Sequence, residues 1–149
     1  MPLSAPLLED QIDILFSELT LAVRWDRPSI LVVVCSSVAI RKKAQDFLAL
    51  SLNGLHQKVV KFAVSTTNYD IPLSLSRHPE RKTAVFYVTG INRGGGGDKS
   101  NAFRAMNIRR ELFVDFPTRV VFWLTKAEAK SLPRLAPDFW AFRHTVIEI

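Results

Sequence analysis

The chain has 149 residues, of which 48% are apolar, and a formal net charge of +6. A chain of this length buries roughly two-thirds of its unfolded surface, so we expect a single domain over residues 1–149. No run of about 18 uncharged apolar residues occurs, and no basic segment followed by an apolar one stands at the start. We therefore expect neither secretion nor membrane insertion, and we expect a cytoplasmic protein.

The first predicted element is an amphipathic helix within residues 1–26. Apolar side chains recur at three- and four-residue spacing from Pro6 to Arg24, and Pro28 ends the helical pattern. These side chains are Leu8, Ile12, Leu15, Leu19 and Val23. Residues 30–35 then form a continuous run rich in β-branched residues, which is typical of a parallel strand covered on both faces.

A second helix follows, capped by Ser36 or Ser37 and closed by Asn53 and Gly54. Its predicted buried stripe comprises Ile40, Ala44, Phe47, Leu48, Leu52 and Leu55. Strands are predicted over residues 59–64 and 83–89. The polar connection over residues 66–82 is interpreted as a surface loop or a turn of helix.

The second half of the chain continues the alternation of helices and strands. A surface loop over residues 92–100 precedes one predicted helix, on which Phe103, Met106, Asn107, Arg110, Phe113 and Val114 fall at helical spacing. A strand over residues 119–124 leads to Thr125 and Glu128, which have the spacing of a capping box for a helix to Leu132. A helical turn over residues 137–143 and a strand over residues 145–149 follow.

This element order predicts an α/β fold. Because crossovers between parallel strands are right-handed, we expect a three-layer domain with a mostly parallel five-stranded sheet and helices on both faces. That architecture is like the one found in P-loop nucleotide hydrolases.

The residues that hydrolysis requires are nevertheless missing at both strand ends. The first junction, residues 34–43, has no glycine loop ending in Gly-Lys-Ser or Gly-Lys-Thr, and the strand ending at Thr89 has no acidic residue there. His56, His78 and His144 are scattered, and Cys35 is interpreted as a small core residue. We therefore predict no catalytic residue, no cofactor and no metal, and we expect a protein that is not an enzyme.

The C-terminal part of the chain resembles inactive STAND-type domains. The resemblance is carried by residues 121–125, 135–143 and 146–149, with residues 106–112 upstream, and it extends in architecture over residues 29–149. Its family-like structural motif comprises Asn107, Arg110, Trp123, Asp138, Phe139, Trp140 and Arg143. The resemblance implies a degenerate AAA+ or STAND P-loop domain, a pseudo-ATPase of bacterial multidomain proteins that often carry tetratricopeptide repeats. Such proteins act in signalling or defence.

Several motif side chains are predicted to be structural. Arg110 needs a carboxylate or carbonyl partner if it is buried, and Asp138 or Glu148 is the expected partner of Arg143. The aromatic residues Trp123, Phe139 and Trp140 are predicted to pack the last helical turn onto the sheet.

The four consecutive glycines, Gly94 to Gly97, have two readings. They could aim backbone N–H groups at a phosphate, with Lys99 nearby. The interpretation that we favour is a flexible surface loop, with Asp98 or Ser100 capping the next helix.

Three function classes remain. The first is a non-catalytic protein-interaction or scaffold module with a protein partner. Its candidate interaction residues are Arg41, Lys42, Lys43, Arg93, Gly94, Gly95, Gly96, Gly97 and Lys99. The second is a nucleic-acid-binding protein that uses basic loops at one edge of the sheet. The third is a nucleotide binder or an enzyme with unrecognised chemistry.

Overall fold

Five strands form one sheet in which every neighbouring pair is parallel, in the order β2-β3-β4-β1-β5. The computed structural model describes residues 7–149, so Pro6 of the predicted first helix lies outside the described residues. The strands are β1 (Ser29–Val34), β2 (Lys58–Ala63), β3 (Ala84–Thr89), β4 (Arg119–Leu124) and β5 (Thr145–Glu148). The predicted α/β class with a five-stranded parallel sheet is confirmed.

The three central strands are buried on both faces. All residues of β1 and β4 and all but the last residue of β3 are buried. Their β-branched and aromatic side chains meet the requirement of parallel strands that are covered by helices on either side. These strands therefore leave their ends, rather than their faces, accessible to a ligand.

Seven helices cover the two faces of the sheet in the described part of the chain. One face packs against α1 (Leu8–Arg24) and α2 (Val38–Asn53). The opposite face packs against α3 (Ile71–Ser76), α4 (Asn101–Ile108), α5 (Leu112–Asp115), α6 (Lys126–Leu135) and α7 (Pro137–Trp140). Within residues 7–149, no helix combines the length and the apolar character that crossing a bilayer requires.

Of three local predictions, one alternative is confirmed and two predictions are wrong. The 66–82 connection contains α3, as the helical alternative predicts, and Asp70 caps this helix by accepting a hydrogen bond from the Leu73 amide at 3.3 Å. The single helix predicted across residues 103–114 is divided into α4 and α5, because helical geometry ends at Arg109, whose side chain pairs with Asp70. Ile40 of the predicted buried stripe is 39% exposed, since it lies in the first turn of α2, beyond the end of the sheet.

Asn107 fixes the position of α7, as expected for a structural motif residue. Its Oδ1 accepts hydrogen bonds from the backbone amides of Asp138 at 2.8 Å and Phe139 at 3.1 Å. Arg110 supports Asn107 by donating a hydrogen bond to the backbone carbonyl of Asn107 at 2.7 Å. The Arg110 guanidinium also lies 3.9 Å from the Asp138 carboxylate. The prediction that Arg110 requires a carbonyl or carboxylate partner is confirmed.

Two predictions about this motif are wrong. Arg143 pairs with neither predicted carboxylate: its guanidinium stacks 4.2 Å from the centroid of the Trp140 ring, because both belong to one tight turn. Trp123 points to the face that carries α1 and α2. There its ring packs against the Tyr87 ring, with the two ring centroids 5.2 Å apart. Of the three aromatic residues, Phe139 holds α7 most directly, against Phe113 and Phe122.

Arg119 closes the amino edge of the sheet. It is 1% exposed, and it donates hydrogen bonds to the Asp26 carboxylate at 3.1 Å and to the Lys82 carbonyl at 2.7 Å. A buried guanidinium is tolerated only when it is paired in this way. Arg119 therefore ties β4 to the connections that enter β1 and β3.

We predict that Phe139→Ala lowers the free energy of unfolding by about 3–5 kcal/mol, because the ring is fully buried between α7 and the sheet. Trp140→Ala is the matched control, with a smaller loss because Trp140 is only half-buried. Urea unfolding measures both values. Equal losses in the two variants would contradict this account of the packing.

Candidate functional site

The candidate site lies at the carboxyl edge of the sheet, where chain segments leave toward opposite faces. The connection after β1 enters α2 on one face, whereas the connection after β4 enters α6 on the other. This divergence opens a crevice between the strand ends. In open α/β sheets, ligands bind in the crevice at such a switch point.

A cleft of about 230 Å³ occupies this edge. Its lining comes from α2, from the ends of β2 and β3, and from the first turn of α6: Arg41, Ala63, Val64, Thr89, Gly90, Asn92, Arg93, Thr125 and Glu128. A smaller crevice of about 80 Å³ lies beside it at the ends of β1 and β4. Arg41 and Thr125 line both spaces, so together they separate the two.

Glu128 is the buried carboxylate of the cleft, with 4% of its surface exposed. One carboxylate oxygen accepts a hydrogen bond from the Thr125 amide at 2.9 Å, and the other accepts one from the Asn92 amide at 3.0 Å. The Thr125 hydroxyl in turn accepts from the Glu128 amide at 3.1 Å, which confirms the predicted capping box. Both oxygens are therefore engaged in joining α6 to the connection after β3.

Two arginines supply the positive charge of the cleft. Arg41 is half-buried in the second turn of α2, and Arg93 is exposed at the end of the one-turn 3-10 helix Ile91–Arg93. Among residues 7–149, no carboxylate oxygen lies within 4.0 Å of either guanidinium. The side chains that line the cleft thus carry two cations and one anion, and the anion is held by backbone amides.

The junction after β1 uses its backbone amides internally. The Cys35 amide donates to the Leu124 carbonyl at 2.9 Å, and the Ser36 amide donates to the Ile149 carbonyl at 3.4 Å. The Ser37 hydroxyl caps α2 by accepting from the Ile40 amide at 3.0 Å. A phosphate loop requires several free amides that point at one anion, and this three-residue connection leaves too few.

Cys35 behaves as a core residue at the end of β1, as predicted. It is 7% exposed, and burial raises the pKa of its thiol to about 11, although the nearby Arg41 charge opposes this shift. A nucleophilic cysteine needs a lowered pKa, because the thiolate is the reactive form. The Cys35 thiol is therefore protonated at neutral pH.

The backbone of the glycine-rich segment needs glycine at three of its four positions. Gly95 and Gly96 have φ angles of +82° and +95°, a region that residues with a side chain rarely adopt. A Cβ atom on Gly94 would lie 2.9 Å from the backbone nitrogen of Ala102, whereas one on Gly97 would meet no atom within 4 Å. The first three glycines are therefore required by packing or by backbone conformation, while the flexibility of the loop stays a prediction.

The predicted interaction residues divide into two groups. Arg41 and Arg93 come together in the cleft, while Lys42 and Lys43 are exposed on α2 and Lys99 is exposed beyond the glycines. Ser100 is at the start of α4, as predicted, but its side chain makes no capping hydrogen bond. Only part of the predicted basic surface therefore forms one site.

Sequence reasoning missed the contribution of Glu128 to the cleft. Its spacing from Thr125 revealed the helix cap, but its second hydrogen bond joins it to Asn92, which is 36 residues away. Gly90 also went unnoticed; it has a φ angle of +73°, and a Cβ there would lie 3.3 Å from the Arg93 side chain. A glycine directly after a buried strand was the available signal for such a close approach.

Comparisons with known proteins leave the family of this chain open. No protein-family model matches it, and no curated protein matches it. In the part of the chain that the structure describes, no three His, Cys, Asp or Glu side chains are grouped to hold a metal ion.

We predict that Gly94→Ala lowers the free energy of unfolding by about 1–3 kcal/mol, because the added methyl group overlaps Ala102. Gly97→Ala is the matched control and should change stability by less than about 0.5 kcal/mol. Thermal and urea unfolding of the two variants test this difference. If both are as stable as the unmodified protein, the segment is not packed in the way described.

Proposed function

We propose that this domain is a non-catalytic protein-interaction module that accepts an acidic side chain of a partner between Arg41 and Arg93. The proposal rests on one observation: two arginines without a carboxylate partner among the described residues line a small cleft at the carboxyl edge of the sheet, next to the switch point. Unpaired guanidinium groups in such a position favour an anionic ligand.

The size of the cleft favours a side chain over a nucleotide. Small-molecule sites usually enclose about 300–1,000 Å³. The cleft offers about 230 Å³, and the occupied amides after β1 leave no cradle for a triphosphate. An aspartate or glutamate side chain, in contrast, needs little volume and no amide cradle.

The charges in the cleft also favour a carboxylate side chain as the ligand. Arginine binds a planar carboxylate through two parallel hydrogen bonds, which fixes the orientation of the ligand. Glu128 lowers the net positive charge of the cleft, and this disfavours a phosphate, which carries up to about two negative charges, more than a carboxylate with one. A carboxylate therefore matches both the geometry and the charge.

The resemblance to inactive STAND-type domains supports an interaction role of this kind. Asn107, Arg110 and Phe139 of the family-like motif form hydrogen bonds and packing contacts that hold α7, and they lie outside the cleft lining. We propose that the chain is a degenerate P-loop domain of a bacterial signalling or defence system, with its former nucleotide edge reused for protein binding.

An NMR titration of amide shifts tests the site. The probes are a peptide with alternating glutamate and glycine, the same peptide with glutamine in place of glutamate, and a single-stranded oligonucleotide. We expect the glutamate peptide to shift the amides of Gly90, Asn92 and Thr125. Arg41→Gln or Arg93→Gln should weaken binding roughly 10- to 100-fold, as for the loss of a charge-assisted hydrogen bond.

Arg134→Gln is the matched control, because it removes the same charge from an exposed position on α6 outside the cleft. If Arg134→Gln weakened binding as much as Arg41→Gln does, the interaction would depend only on net charge, and the proposed site would be wrong. A stronger response to the oligonucleotide, dependent on Lys42 and Lys43 and lost between 50 and 200 mM salt, would instead favour nucleic-acid binding.

We predict that the purified domain does not hydrolyse ATP or GTP with magnesium, because no lysine follows a glycine loop after β1 and no acidic residue ends β3. A phosphate-release assay measures this, with Lys42→Ala and Lys43→Ala as controls for contaminating activity. Turnover that either substitution abolishes would contradict the proposal.

A further inference from the structure

Both edge strands of the sheet, β2 and β5, lack an outer neighbour in the described residues, and the β5 edge is the one suited to pairing. β5 pairs with β1 on one side and with no strand on the other. The opposite edge strand, β2, carries exposed Lys58 and Lys61, and such lysines hinder pairing with another chain. In β5, by contrast, Thr145, Val146 and Ile147 are uncharged, and Glu148 at its end is the one charged residue.

An apolar stripe that begins at Leu7, the N-cap of α1, and ends at Trp25, its C-cap, runs beside this open edge. Leu7, Ile14 and Leu21 follow one another at seven-residue spacing, with Trp25 four residues further on, and they are 66%, 51%, 54% and 63% exposed. Residues spaced by seven lie on one side of a helix. We call these four residues the α1 stripe.

Two hydrogen bonds place the stripe next to β5. Gln11 donates to the Glu148 carbonyl at 2.9 Å, and the Glu18 carboxylate accepts from the Thr145 hydroxyl. Gln11 and Glu18 each lie four residues after a stripe residue, which is the spacing of neighbours on a helix surface. The exposed apolar side chains therefore border the same edge as the unpaired strand.

The same two hydrogen bonds show which part of the α1 stripe lies beside which part of β5. Because Gln11 is level with one end of β5 and Glu18 with the other, the middle of β5 lies level with Ile14, to within about one residue. Ile14 is also the midpoint between Leu7 and Leu21. The strand and the stripe thus share one centre.

We propose that a second copy of this chain docks here, through antiparallel pairing of β5 with its counterpart about a twofold axis normal to the sheet. Such an axis keeps both α1 helices on the same face and runs them antiparallel. Because a twofold interface is self-complementary, Leu7 meets Leu21 of the partner subunit, and Ile14 faces Ile14 of the partner subunit. A partner of unrelated sequence would not require this shared centre.

A groove at the Leu21 end of the α1 stripe can accommodate Leu7 of the partner subunit. It measures about 450 Å³ and is bordered by Leu21, Trp25 and His144, where α1 meets the start of β5. In the dimer, Leu7 of the second copy enters at the Leu21 side of this groove. The fit pairs an exposed leucine with an exposed aromatic ring.

The size of the interface predicts a weak dimer. The α1 stripe and β5 together provide eight residues per copy, far fewer than the roughly 20–30 per side of a standard interface. We expect a dissociation constant on the order of 100 µM. Association should therefore appear only at high protein concentration.

Sedimentation equilibrium from 10 µM to 1 mM tests the dimer. Ile14→Glu should leave the protein monomeric at 1 mM, since it places two carboxylates at the axis. Leu50→Glu is the matched control, because Leu50 is 74% exposed on α2, away from the stripe, and it should associate like the unmodified protein. Amide exchange in residues 145–148 should also slow at high concentration, with no slowing in β2.

A charge-pair rescue tests the geometry. Leu7→Glu and Leu21→Lys should each weaken association at least tenfold, whereas the double variant should recover part of it, because each new glutamate then faces a new lysine. Circular dichroism confirms that all variants are folded. A protein that stays monomeric at 1 mM, a control that fails like Ile14→Glu, or a double variant no better than either single one would overturn the proposal.

Discussion

The burial of both faces of β1, β3 and β4 is the constraint on which the rest of this structure depends. A parallel sheet with covered faces requires helices on both sides, and the chain must therefore cross over after every strand. Because the central strands are almost entirely apolar, polar chemistry is confined to the strand ends and to the outer strands. The arginine cleft and the open β5 edge occupy these two kinds of position.

Two buried charges stabilise the two ends of the sheet. Arg119 joins β4 to neighbouring connections at the amino edge, and Glu128 joins α6 to the segment after β3 at the carboxyl edge. Each would be costly if it were unpaired, so each fixes its surroundings in one arrangement. Each Glu128 oxygen accepts a hydrogen bond from a backbone amide, and among residues 7–149 no carboxylate oxygen lies within 4.0 Å of Arg41 or Arg93.

The two proposed surfaces are compatible with each other. The cleft opens at the ends of the strands, whereas the α1 stripe and β5 lie along the side of the sheet. A dimer formed through β5 would leave both clefts free and would present two identical acidic-group sites. Two linked sites bind a bivalent partner more tightly than one, so a weak dimer would raise the affinity of a modest interaction.

The sequence by itself determined the fold class, most element positions and the Thr125–Glu128 cap, because these depend on periodicity and spacing within a few residues. It also placed Arg41 and Arg93 at one edge of the sheet. Only the tertiary structure decided that these two, and not Lys42 or Lys99, share a cleft, and that Gly94 is packed against Ala102. Whether Glu128 reaches Asn92, or Trp123 turns toward α1 and α2, depends on strand order and facing direction, which local pattern does not encode.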